Sequence, residues 1–357
     1  MNDLSNWITE KAESIRPVSE EWRARASQRL DTLTKPLGSL GRLEAVAAQF
    51  VAIRGERWHE PIRKGVYIFA ADHGVTAEGV SAYPSEVTRQ MVLNFAAGGA
   101  AVNVLARLHG AELAVIDVGV VGDLDGGEGL HHHKVARGTK NFLREVAMSD
   151  DEVLAALRVG ASMASYGLAA GQNLVGIGEM GIGNTTSASA ITCALTGASA
   201  ADVTGKGTGV QAAIHAHKIS VVEGAVRMHF GLGDASPTDV LRKVGGLEIA
   251  AVAGMILGCA EAGIAVIVDG FIATSAAALA AAMVPACRGY MIAGHRSEEP
   301  GHRVLLEHLA LVPLLSLEMR LGEGTGAVLA MPIVESAVAL YREMATFASA
   351  GVSEASA

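Results

Sequence analysis

After Pro61 the chain alternates short apolar runs, each closed by glycine or a polar residue, with alanine-rich stretches: GVYIFAADHG, LAVIDVGV, NLVGIGEMG, IAVIVDGF and GYMIAGHR. Short apolar runs bounded by glycine and separated by helix-length segments are the pattern of strands buried on both faces of a parallel sheet. The expected fold is therefore α/β, a parallel sheet flanked by helices. Composition sharpens this: 50% of residues are apolar but only 4% aromatic, and there are 42 glycines. Such a core must be built from Ala, Val, Leu and Ile, with helices packed close.

The first sixty residues read as helices instead, SEEWRARASQRLDTL and GRLEAVAAQFVAIRG on either side of a break at Lys35-Pro36-Leu37-Gly38. From about Leu305 the chain is helical again, through GTGAVLAMPIVESAVALYREM to a small-residue tail. Residues 1–60 plus 305–357 are expected to form a smaller helical domain beside a substrate-binding sheet domain, 61–304. Two uncharged stretches, Met180–Ala201 and Gly270–Cys287, hold too many Thr, Ser, Asn, Gly and Ala residues for membrane spans and read as buried helices with their approaches. A net charge of −9 provides no basic surface, which excludes nucleic acid as a partner and leaves an anionic small substrate to local lysines, arginines or backbone amides. The three scattered cysteines and the charged, polar start MNDLSNWITEKAESIR point to a cytoplasmic protein without a signal peptide.

Chemistry-bearing residues gather at the carboxyl ends of the apolar runs: Asp72 and His73, Asp117, Glu179, Asp269, then His295 with Arg296. Ligands of open α/β sheets bind outside those ends, so one cleft is expected to collect them, although Asp also serves as a cap or turn residue after strands. Gly176-Ile-Gly178-Glu179-Met180-Gly181 satisfies the dinucleotide signature G-x-G-x-x-G. The strand ending in an acidic residue that should follow it is missing. Instead the helix NTTSASAITCALTG leads to a second glycine loop, Gly205-Lys206-Gly207-Thr208-Gly209. Gly181, Asn184, Thr185 and that loop read as a mononucleotide phosphate site made of backbone amides and a helix N-terminus. Lys218 either adds a positive charge there or is an ordinary exposed lysine. His131-His132-His133 reads as a solvated loop, not a metal site, and no metal is expected.

Gly322-Glu323-Gly324 opens the last long helical stretch. A carboxylate there is expected to be stabilised as the anion by the exposed amides of the helix start. Its glycine neighbours leave room for a flat ligand, which suits a base reaching into a pocket. The other reading is a helix cap.

With these loops in place the chain resembles nicotinate-nucleotide:dimethylbenzimidazole phosphoribosyltransferases, through TKPLGSLGRLE (34–44), ADHGV (71–75), PSEVTRQMVLNFAAGGAAVNVLAR (84–107), GIGEMGIGNTT (176–186), GKGTG (205–209), VGGLEIAAVAG (244–254), VDGFI (268–272) and RLGEGTGA (320–327). The resemblance implies a homodimeric transferase with a Rossmann-like sheet domain, a parallel sheet flanked by helices, and a small helical domain, using no metal or other cofactor. It joins a benzimidazole nitrogen to C1′ of nicotinate mononucleotide and releases nicotinate, in making the lower-ligand nucleotide of cobalamin. By the same resemblance Glu323 falls on the catalytic base, and Glu179 and Lys218 fall at the nucleotide. Gln90 with Ser81-Ala82-Tyr83 falls on the wall of the base pocket, and His295 to Ser297 near the nicotinate end. Lys206 stands where an arginine is expected. Two alternatives stay open beside it, an NAD-dependent oxidoreductase resting on G-x-G-x-x-G and a non-catalytic nucleotide-binding relative. The residues leave the accepted base open among dimethylbenzimidazole, other benzimidazoles, adenine and phenols.

Overall fold

The computed structural model describes residues 2–124, 129–207, 211–231 and 235–353. Its centre is a six-stranded sheet in the order β3-β2-β1-β4-β5-β6, parallel throughout. The strands are β1 (Lys64–Ala71), β2 (Glu112–Gly119), β3 (Leu130–His132), β4 (Leu174–Met180), β5 (Ala265–Val268) and β6 (Met291–Ala293). This is the doubly wound order, in which the chain runs outward from β1 in one direction and then from β4 in the other. All five apolar runs form strands, and the expected α/β fold is the one the chain adopts.

β3 is a correction. The histidine run reads as a loop in the sequence, yet Leu130–His132 pairs in parallel with Val115–Asp117 of β2 at the sheet edge. Three residues are too few to show a periodicity, and polar side chains are what an edge open to water tolerates. His131 meets the Tyr166 ring edge-on at 5.3 Å. Among the described residues no group of three or more His, Cys, Asp and Glu side chains is placed to hold a metal ion.

Glycine and alanine allow the close packing that the composition demanded. The Asp150–Ala169 helix lies against the Leu247–Ala262 helix, which in turn covers β1 and β4. A Cβ on Gly160 would overlap the Ala251 carbonyl oxygen, and one on Gly254 the Leu157 carbonyl oxygen, so the two backbones touch. The two uncharged stretches contain the helices Asn184–Thr196 and Phe271–Met283, both largely buried as expected. The Glu20–Thr32, Arg42–Arg54 and Thr325–Glu343 helices pack on one another, and the last also packs on β4 and β5. One apolar cluster runs through them and the sheet, with Leu30, Phe50, Val175, Ile177 and Val334 all buried in it. Full burial of each large side chain contributes about 1.5–3 kcal/mol, so that helix is held to the sheet from its apolar face.

The stretch Glu86–Leu108 is long and apolar enough, by length and composition, to cross a membrane, and only 33% of its apolar 18-residue window is buried. It is broken at 97–100 into two helices, Glu86–Ala96 and Ala101–Leu108.

Candidate active site

At the carboxyl ends of β4, β5 and β6 a cleft of about 650 Å³, open mouth included, is lined by Glu179, Gly181, Asn184, Thr185, Gly207, Gly270, His295, Ser297, Glu299, Arg320 and Glu323. Segments more than a hundred residues apart in sequence meet there, as the placement of polar residues after the strands suggested. Glu179 lies at the end of β4 and the Asn184–Thr196 helix starts just beyond it, so the Asn184 amide donates straight back to Glu179 Oε2.

The glycines before Glu179 do not form a phosphate cradle. Gly176 and Gly178 lie inside β4 on the same face, two residues apart. A Cβ on Gly176 would meet Met331 and Ala327 of the Thr325–Glu343 helix. One on Gly178 would lie 2.6 Å from the Glu323 carbonyl carbon and closer still to the Gly324 nitrogen. The dinucleotide signature is thus a packing device that lets the Gly322–Gly324 turn rest on the strand. Across that turn the other carboxylate is close too, since a Cβ on Gly322 would stand 2.7 Å from Glu179 Oε1.

Glu323 is buried, 7% exposed, and sits at φ +64, a left-handed conformation costing a non-glycine residue about 1–2 kcal/mol. It is not the helix cap. Gly324 occupies that position, and the first amides of the helix are taken by Asp269: Gly324 N–H donates to Oδ2 at 3.2 Å and Ala327 N–H to Oδ1 at 2.9 Å. The expected stabilisation of the Glu323 anion is overturned with it. Burial, with the Asp269 carboxylate beside it, pushes the Glu323 carboxyl up to about 7. That value suits a base working near neutral pH better than an ordinary carboxylate does. Glu179 is also raised well above the carboxylate range, by burial first and then by Glu248, Asp269 and Glu323, with Asn184 offsetting part of the effect.

At the other end of the cleft Lys218 is no ordinary exposed lysine. It is 1% exposed, and its Nζ donates to Thr185 Oγ1 at 2.7 Å. Gly207 lies directly over this contact, where a Cβ would stand 3.1 Å from Thr185 Oγ1 and 3.2 Å from Lys218 Nζ. Burial lowers the ammonium to about 8, against the pull of Glu299. Thr185, Gly207 and Lys218 are therefore brought together, while Gly205 packs against Glu299 and Pro300. Thr208 and Gly209 lie outside the described residues.

Between the two ends stand His295, 1% exposed with neither ring nitrogen hydrogen-bonded among the described residues, and Ser297. The Ser297 N–H donates to His302 Nδ1 at 2.9 Å, and His302 Nε2 reaches Thr274 Oγ1, itself a donor to the Gly270 carbonyl. His302 must carry its proton on Nε2 to satisfy both contacts. Burial, with His295 nearby, lowers its imidazole to about 3, so it stays neutral.

The cleft does not collect every strand-end residue. Asp117 accepts from Val120 N–H and pairs with Lys134, and Asp72 accepts from Val121 N–H, so both secure turns after strands. His73 is fully buried against Glu248. Ser81, Tyr83 and Gln90 are not among the lining residues; Tyr83 and Gln90 are exposed and the Tyr83 N–H donates to Ser81 Oγ. The Glu86–Ala96 helix, which carries Gln90, does touch the cleft wall, because Ile182 N–H donates to Thr88 Oγ1 at 3.1 Å. Sequence reasoning assigned no site role to Glu299 or His302, whose only signal is proximity to His295.

Residues 15–352 match the profile of a phosphoribosyltransferase family. The chain is 50% identical to the nicotinate-nucleotide–dimethylbenzimidazole phosphoribosyltransferase of Geotalea uraniireducens, over 98% of this chain and 99% of that one. The enzyme of the same name from Chloroflexus aggregans is 50% identical over 97% of this chain and 98% of its own. The crystal structure of CobT from Thermus thermophilus superposes with a TM-score of 0.90 at 47% identity, covering 94% of this chain and 100% of that one.

Proposed function

Since the chain belongs to the family of nicotinate-nucleotide–dimethylbenzimidazole phosphoribosyltransferases, we propose that it transfers the phosphoribosyl group of nicotinate mononucleotide to 5,6-dimethylbenzimidazole or a related base, with Glu323 as general base. The products are α-ribazole 5′-phosphate and nicotinate. The observation that carries the assignment of Glu323 is a buried carboxyl held up to about 7 on a glycine-flanked turn at the cleft.

The bond changes need little else. The pyridinium of nicotinate mononucleotide leaves C1′ with its bonding electrons and becomes neutral, so no general acid is required. A benzimidazole nitrogen bonds to C1′, and the N–H on the other nitrogen becomes strongly acidic and passes its proton to Glu323. Positive charge developing at the ribose favours a carboxylate nearby, the role of Glu179. A cationic substrate held there draws the Glu179 carboxyl back toward its ionised form. Lys218, Asn184, Thr185 and the Gly205–Gly209 loop hold the phosphate, with Gly181 at the turn before them. His295 and Ser297 face the departing nicotinate. The base enters beside Ile182, and its outer wall is formed by Gln90, on the helix that touches this residue, with Ser81 and Tyr83 from the turn that precedes that helix. Residues 1–60 plus 305–357 form the smaller helical domain that supplies Glu323.

The test is product identification. Protein incubated with nicotinate mononucleotide and a mixture of dimethylbenzimidazole, benzimidazole, adenine and p-cresol should yield ribosylated base and free nicotinate by mass spectrometry. With Lys218→Ala, KM for the nucleotide should rise at least about tenfold, the loss of one buried charge-assisted contact, while KM for the base stays near wild type. No ribosylated base from the wild type defeats the reading, and a rise confined to the base KM defeats the role of Lys218.

The active form is proposed to be a homodimer. The uncovered apolar face of Glu86–Leu108, with Val104 52% and Leu108 72% exposed, is more than single scattered apolar side chains account for. A second copy covering it would bury on the order of 1,000 Å² or more. Light scattering at micromolar concentration should give twice the chain mass of 36.7 kDa; a monomer mass removes the proposal.

A further inference from the structure

We propose that Asp269 is the positioning residue of this reaction: its carboxylate tethers the turn that presents Glu323 and thereby fixes where the base stands. The inference rests on Glu323 being the base. Asp269 follows β5 and is 1% exposed. Both hydrogen bonds it accepts come from the start of the Thr325–Glu343 helix, one from Gly324, the residue next to Glu323. Burial pushes the Asp269 carboxyl up, while His295 and the helix-start amides favour its charged form; its two oxygens, each accepting a backbone amide, tie β5 to the helix start where, among the described residues, no main-chain hydrogen bond does so.

Glu323 needs such a tether. A non-glycine residue at positive φ persists only where its surroundings over-determine it. Beneath the turn, Gly178 supplies space but no attraction. Asp269 is the group that pulls the turn down onto the strand ends. The ionisable groups that face it are Glu323 from the turn, Glu179 from β4 and His295 after β6, whose Nε2 lies 3.8 Å from Oδ1. Because the Asp269 anion disfavours a second negative charge on Glu323, the tether also affects the pH at which the base ionises.

The test is a mutant cycle on the full-length protein: wild type, Asp269→Asn, Glu323→Gln and the double variant, each with kcat and both KM values measured across pH. Asparagine keeps one acceptor but turns an amide N–H toward one of the helix amides. Asp269→Asn should lower kcat about tenfold to a hundredfold, the cost of a base displaced by up to an ångström, with both KM values within about threefold of wild type. Its acid limb should move to lower pH, since a neighbouring negative charge has gone. The double variant should be no slower than Glu323→Gln alone, because a positioning residue acts only through the group it positions. A double variant slowed further by the full Asp269→Asn factor, or an Asp269→Asn enzyme with wild-type kcat and an unmoved acid limb, overturns the inference. If Asp269→Asn gives too little folded protein, Asp269→Ser, which retains one hydroxyl acceptor and no charge, takes its place in the cycle with the same expectations. A Glu323→Gln enzyme with near wild-type kcat defeats the base assignment itself. A slow Glu323→Gln beside an unaffected Asp269→Asn defeats only the role of Asp269.

Discussion

Replacing Glu323 by glutamine is expected to leave both substrates bound at near wild-type affinity while kcat falls about a hundredfold to ten-thousandfold, the usual contribution of a positioned general base. Glutamine keeps the length and hydrogen-bonding reach of the side chain but cannot take the benzimidazole proton. In the wild type the rate should climb as pH rises through about 7, where the buried carboxyl ionises, and this limb should vanish in the variant. Stability gives a second, opposite signature. The folded protein holds the Glu323 proton up to about 7, whereas the unfolded chain releases it near its ordinary 4.5. Over that window the native state binds more protons, so stability falls as pH rises through it. Glutamine has no ionisation to suppress, and the variant should be at least as stable as wild type at pH 8, with the difference gone near pH 4. A helix cap would behave the other way, losing stability on substitution once the carboxylate is charged. Activity profiles and thermal melts at the two pH values check both halves; a near-normal kcat removes Glu323 from the mechanism.

Gly178→Ala should be nearly as damaging to kcat although it adds a single methyl group. Its Cβ would lie 2.6 Å from the Glu323 carbonyl carbon, and the three nearest atoms it strikes are all backbone, so no side chain can rotate away. Either the turn lifts off β4, moving the base by about an ångström at a cost near a hundredfold in kcat, or the strand distorts, at about 1–3 kcal/mol of stability. Gly176→Ala is the control. Its Cβ would meet the Met331 Cε at 2.9 Å, the end of a flexible side chain that can give way, and the Ala327 Cβ at 3.2 Å. That variant should keep most of its activity. Were the two glycines a dinucleotide cradle, both changes would raise the nucleotide KM and leave kcat less affected. Steady-state kinetics and denaturant melts of the pair decide it, and a Gly178→Ala enzyme with wild-type kcat sinks the packing argument.

The strands and the cleft were legible because their causes are local. An apolar run of strand length closed by glycine reports burial on both faces, and the doubly wound rule then places the residues after each run on one side of the sheet. β3 was missed because three residues at an edge, two of them histidine, carry no burial pattern. The glycine motif misled for a related reason. A glycine records only that a side chain has no room, and phosphate, ligand or a packed backbone all leave the same letter. Lys218 shows the limit from the other side, since lysine is usually exposed and nothing near it in sequence announces the Thr185 hydroxyl and Gly207 backbone that bury it.

The sequence by itself determined five of the six strands of the sheet, the side of the sheet on which chemistry gathers, and the glycine-flanked Glu323, because each follows from residues within a few positions of one another. Tertiary structure alone decided what those residues do. Gly324 took the cap position, and the first amides of the helix went not to Glu323 but to Asp269, more than fifty residues earlier in the chain. Burial then reversed the expected sign of its ionisation, from a stabilised anion to a carboxyl that holds its proton up to about 7. Desolvation and charge–charge coupling depend on which distant groups exclude water and stand within a few ångströms, and that is set by how the helices close on the sheet.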